Sequence, residues 1–122
     1  MKKLTLLAFL LVAPCLSLHA DDIAGDYLVA GIDTDGTPYG ATASIVPNGE
    51  NYAITWYYAD SYVENGVGIV KDDHLSICYQ GNDDLTDVGV EVVKIKHDSL
   101  KGPWAPLFSD DRGFETLSRV CD

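Results

Sequence analysis

Beyond the first twenty residues, apolar positions follow a two-residue rhythm. Tyr52, Ile54, Trp56 and Tyr58 fall on one side of an extended segment, with Ala53, Thr55 and Tyr57 on the other. Leu75, Ile77 and Tyr79 repeat the pattern, leaving Ser76, Cys78 and Gln80 opposite. No apolar stripe of useful length recurs at helical spacing, and turn-forming clusters return every ten to twelve residues or so. The pattern predicts strands over Asp26–Ile32, Tyr39–Val46, Tyr52–Ala59, Tyr62–Val70, His74–Gln80, Val88–Lys96, Leu100–Pro106 and Phe114–Val120. Asp-Gly, Asn-Gly and Gly-Asn in the breaks supply the positive φ that tight hairpins need.

Most of these breaks are too short for a crossover, so sequential strands should pair as neighbours. The expected fold is all-β, an antiparallel meander of about eight strands closed or partly closed into a small barrel of lipocalin or streptavidin type. Closure removes exposed sheet edges, and an eight-stranded barrel has an interior either filled by side chains or able to hold one small ligand. Gly66 and Gly68 share a face of their strand. They allow a sharp bend or the close approach of a bulky neighbour such as Trp56; the bend is the expected reason.

The first twenty residues obey another rule. Met1-Lys2-Lys3 precedes a run from Leu4 to Ala13 that is apolar except for Thr5, then Pro14 and the small-residue end Leu18-His19-Ala20. This predicts a secretory signal over 1–20, cleaved after Ala20, and a single domain over 21–122. The run is about half the ~20 residues a bilayer crossing needs, so no membrane insertion is expected once the signal is gone. Pro14 before Cys15 argues against a lipid anchor there. The protein should be exported, periplasmic or secreted.

Lys2 and Lys3 leave with that signal, whereas all nineteen Asp and Glu lie from Asp21 onward, so six cations face nineteen anions for a formal charge of −13. Such a surface repels phosphate backbones and anionic lipid, which argues against nucleic acid and membrane partners. It favours a cationic protein, a cationic ligand or a metal ion. Cys78 and Cys121 are the cysteines left after processing, and an oxidising envelope would let them pair. That loop closure would contribute about 4 kcal/mol in the chain-entropy view.

Asp33-Thr34-Asp35-Gly36 resembles a fragment of a calcium loop, but Pro38 and Ser44 stand where the glycine and bidentate Glu belong, so a hairpin turn is expected and no metal. His74 and His97 each adjoin an acid, Asp73 and Asp98. Neighbours on a strand face opposite sides, and no nucleophile elbow, metalloprotease motif or phosphate loop accompanies them. No catalytic residue and no cofactor is therefore assigned. Aromatic residues with polar tips line small-ligand cavities and protein-binding surfaces. Tyr52, Trp56, Tyr58, Tyr79 and Trp104 are the candidate ligand wall. Tyr57 and the loop acids Asp83, Asp84, Asp110 and Asp111 are candidate contacts for a protein partner.

Several segments resemble small exported bacterial proteins often labelled fibronectin-binding. They are Gly25-Asp26-Tyr27-Leu28-Val29-Ala30-Gly31, Asp35-Gly36-Thr37-Pro38-Tyr39-Gly40, Tyr52-Ala53-Ile54-Thr55-Trp56, Gly66-Val67-Gly68-Ile69 and Leu75-Ser76-Ile77, with Val88–Val92, Gly102-Pro103-Trp104 and Glu115–Arg119 closing the pattern. The resemblance implies a secreted or envelope binding protein with a barrel-like fold, and it carries no binding residues. Together these observations lead to a non-enzymatic binding protein that recognises a protein partner. A carrier of a small apolar ligand in the barrel interior, and an inhibitor of a cationic hydrolase such as lysozyme, are the alternatives.

Overall fold

A computed structural model describes residues 23–121; the expected signal over 1–20 and the lipid question at Cys15 lie outside the described residues. The chain forms β1 (Gly25–Ile32), β2 (Pro38–Asn48), β3 (Asn51–Tyr57), β4 (Val63–Lys71), β5 (His74–Gly81), β6 (Val88–Ile95), β7 (Ser99–Pro106) and β8 (Gly113–Arg119). Each strand pairs antiparallel with the next, and β8 returns to β1 through the register Tyr27↔Arg119 to Ile32↔Phe114, closing the barrel. Two connections are tighter than the sequence suggests. Pro47 and Asn48 continue β2, leaving the two-residue turn Gly49-Glu50, and Asp72-Asp73 joins β4 to β5 with Asp72 at φ 57°.

Strand alternation sorts side chains to the two faces. In β5, Leu75, Ile77 and Tyr79 point inward and His74, Ser76, Cys78 and Gln80 outward. Inside, Ile23, Tyr27, Val29, Ile45, Ile54, Leu75, Leu100 and Leu117 pack into a core in the half of the barrel where the chain enters. The Tyr27 hydroxyl donates to the carbonyl of Ile23 at 2.6 Å, and Arg119 Nη2 donates to the carbonyl of Ala24 at 2.8 Å, tying the entering segment across that end. Burial pushes the Tyr27 phenol up to about 12 despite the opposing charge of Arg119.

Two expectations need correction. A side chain at Gly66 would crowd Ile77 and Trp56, and one at Gly68 would crowd Leu75 and Ile54, so these glycines serve close packing inside the barrel where a bend was expected. Cys78 is a free, exposed thiol, and its bridge to Cys121 is not formed. The physical reason is the strand parity already noted: Cys78 points out of the barrel, flanked across the ladder by the exposed Val67 and Val90.

Candidate functional site

The loops β1–β2, β3–β4, β5–β6 and β7–β8 emerge at the end opposite the core. There the interior opens into a cavity of about 460 Å³, bounded by Tyr39, Trp56, Tyr58, Tyr62, Tyr79 and Trp104 and by the acids Asp33, Asp60, Glu64, Asp87, Glu91 and Glu115. The hollow is a product of local sequence. Tyr39 stands across the ladder from Gly31, Tyr79 from Gly89 and Trp104 from Gly113, and each ring lies over the face its glycine leaves bare.

These rings form a continuous chain around the wall. Trp56–Tyr79, Tyr79–Trp104 and Trp104–Tyr39 meet edge to face with centroids 6.3, 6.4 and 6.2 Å apart, and tilted contacts at 6.3 and 6.0 Å continue through Tyr58 to Tyr62.

Carboxylates anchor the polar tips. Tyr39 OH donates to Glu115 Oε1 at 2.6 Å and Trp56 Nε1 to Glu115 Oε2 at 3.0 Å. Tyr58 OH donates to Glu64 Oε1 at 2.7 Å, and Tyr62 OH to Asp87 Oδ2 at 2.6 Å. Burial first, then the nearby carboxylates, raise the phenols of Tyr39, Tyr58 and Tyr62 far above their ordinary range, so they stay protonated donors.

The carboxyls also meet one another. Glu91 is almost wholly buried and lies within hydrogen-bonding reach of Glu115. Burial, the Glu115 charge, that contact and then the Glu64 charge hold its carboxyl well above the usual carboxylate range, so Glu91 keeps its proton more readily than an exposed acid. Glu64 repeats this nearer the mouth: burial and its contact with Asp87 push it up to about 8, against the hydrogen bond from Tyr58. Two buried polar atoms complete the picture. Trp104 Nε1 makes no well-formed hydrogen bond, although the Tyr39 hydroxyl lies within its reach, and Glu91 Oε2 faces no donor beyond the proton it can share with Glu115.

Charge is divided along the barrel axis. The four loops at the mouth carry Asp33, Asp35, Asp60, Asp83, Asp84, Asp87, Asp110 and Asp111 against one cation, Arg112, among the described residues. Toward the other end Lys71, Lys94, Lys96, Lys101 and Arg119 are matched by Asp26, Glu50, Asp72, Asp73 and Asp98, so the described residues there balance.

Of the expected ligand wall, Trp56, Tyr58, Tyr79 and Trp104 line the cavity. Tyr52 is packed against the core toward the other end, across the ladder from Pro47 and Gly68. Asp83, Asp84, Asp110 and Asp111 are exposed around the mouth, and Tyr57 is exposed on the outer wall. Asp33 to Thr37 form a hydrogen-bonded hairpin turn, with Asp33 N donating to the Thr37 carbonyl at 2.8 Å. Because Asp73 sits in a turn, it reaches His74 Nδ1 at 2.9 Å, closer than strand geometry suggested, on the surface away from the cavity.

Sequence reasoning missed Tyr39, Glu64, Asp87, Glu91 and Glu115. A signal existed for three: Glu91 has the inward parity of Gly89 and Val93, Glu115 that of Gly113 and Leu117, and Glu64 that of Gly66 and Gly68. A charge on the core-facing side of a strand marks a site.

No protein-family model matches the chain, and no curated protein does. Among solved structures the chain is similar to a barrel described as the de novo design of a fluorescence-activating beta barrel, with TM-score 0.63 at 17% identity, covering 84% of this chain and 96% of that one. The likeness is one of fold: an eight-stranded antiparallel barrel.

Proposed function

We propose that this protein is an exported, non-enzymatic binding protein that captures a small molecule inside the open half of its barrel. The observation that carries this reading is the preformed cavity of about 460 Å³, walled by aromatic rings, with Glu91 and Trp104 presenting polar atoms that lack partners. Concave aromatic sites of a few hundred cubic ångström with a few placed polar groups are the usual form of small-ligand pockets. Buried orphan atoms cost about 1–3 kcal/mol each, which an occupant offering a donor and an acceptor would recover.

Both tryptophans of the chain, Trp56 and Trp104, line the cavity, so their emission reports occupancy directly. Titration with a chemically diverse small-molecule library should yield ligands that shift the emission saturably. Emission unmoved across such a library would remove the interior as a binding site.

A second reading draws on the mouth. Leu85 in β5–β6 and Leu107 and Phe108 in β7–β8 are 75%, 65% and 72% exposed beside Asp83, Asp84, Asp110 and Asp111. Apolar residues among carboxylates suit a basic protein surface, including a cationic hydrolase. Such association should weaken as salt is added, and salt-independent association would count against it.

A further inference from the structure

The chemistry of the lining narrows the occupant. Among the described residues six carboxyl groups border the cavity and no Lys, Arg or His does, so an anion would meet repulsion from these walls. No three of the described acids, histidines and cysteines converge closely enough to hold a metal ion; the carboxyls are split into the pairs Glu91–Glu115 and Glu64–Asp87 with rings between. A purely apolar guest would leave Glu91 Oε2 and Trp104 Nε1 unpaired in an even drier site. A cation carrying its own N–H donors answers the first of these, an oxygen acceptor answers the second, and ring faces attract positive charge.

We propose that the cavity binds a small organic cation, a protonated amine on an aromatic or alkyl frame bearing an oxygen acceptor. Its ammonium is held at the Glu91–Glu115 pair and its frame lies against Trp56, Tyr79 and Trp104. This rests on reading the cavity as a small-molecule site. The acidic loops around the mouth raise the local concentration of such cations.

Capture then displaces a proton. The titratable groups facing the Glu91–Glu115 pair are Tyr39 from β2, Tyr58 from the β3–β4 loop, Glu64 from β4, Tyr79 from β5 and Asp87 from the β5–β6 loop. The phenols of Tyr39, Tyr58 and Tyr79 are all raised and keep their protons, which leaves the raised carboxyls Glu64 and Glu91 as the groups that exchange them. The ammonium takes the place of the proton on Glu91, which leaves to solvent.

Calorimetric titration of the purified protein tests this with aryl- and alkylamines against their alcohol and carboxylate counterparts, headed by tyramine, tyrosol and para-hydroxyphenylacetate. The amines should bind about tenfold or more tighter than the alcohols, and the carboxylates should not bind. Amine affinity should rise with pH, by up to about tenfold per unit, wherever Glu91 still holds its proton in the free protein, with proton release measurable in two buffers of different ionisation enthalpy. Glu91→Gln should bring the tyramine-to-tyrosol affinity ratio close to one. If that variant misfolds, the proton count on the unmodified protein reads the same exchange. Alcohols binding as tightly as amines, with no proton released, would overturn the cation while sparing the small-molecule site. Absence of heat and of tryptophan response across the whole panel would sink both.

Discussion

Gly113 stands across the ladder from Trp104, and the indole covers the place where a side chain would project. Even a methyl there must push the ring into the cavity or spread β7 from β8. Gly113→Ala should therefore cost about 1–3 kcal/mol in chemical denaturation and shift the tryptophan emission of the folded protein. A variant with unchanged stability and emission would show that the ring is not seated on the glycine. The same residue shows how much of the site was legible. Trp104 could be picked out as an aromatic with a polar tip, but its seat could not, because strand parity says which face a residue takes and not which cross-strand neighbour lies beneath it. Glu91 and Glu115 were readable in principle from inward parity, yet their mutual contact joins strands far apart in sequence. Glu64 was readable in the same way, from its parity with Gly66 and Gly68, whereas nothing local distinguishes the loop acid Asp87 from a solvated surface acid.

Among the elements, the strands were the legible part. All eight expected segments form, because alternating side chains and turn-forming clusters both act over a few residues. Closure was readable only as a preference, since the β1–β8 seam joins the two ends of the described chain. Leu117 on β8 is fully buried at that seam, opposite both Val29 of β1 and Leu100 of β7. Leu117→Ala should lower stability by about 2–5 kcal/mol, measured by denaturant unfolding. A loss below 1 kcal/mol or so would mean that the seam contributes little to the fold. By contrast Cys78, outside the barrel on β5, should react with a maleimide in the native state without altering tryptophan emission. Protection of that thiol would show the outer face of β5 to be covered.

For the whole molecule, the buried carboxyls set the response to pH. Glu64 and Glu91 have folded-state values raised above those of an unfolded chain. Folding therefore takes up protons between the two values: the stability these groups contribute is fully present below an ordinary carboxylate pKa and is lost as pH rises through the folded ones. Asp35 and Asp84 are lowered by hydrogen bonds from Thr37 and Thr86, and act in the opposite sense only at more acidic pH. The unliganded protein should thus melt at higher temperature near pH 5 than near pH 8. The slope limit is about 1.4 kcal/mol per pH unit for each proton, and less for Glu64, whose carboxyl is partly solvated at the mouth. Glu91→Gln should flatten that slope and raise stability near pH 8 by about 1 kcal/mol or more. A wild-type melting temperature independent of pH across this window would contradict a buried, protonated Glu91.

The division of charge along the axis, acidic at the mouth and balanced toward the other end, also makes the barrel an electric dipole parallel to its own channel. Beside an anionic surface, repulsion of the acidic mouth turns the balanced end inward and the opening toward solution. Orientation would then come from the field alone, with the entrance left clear for whatever diffuses past.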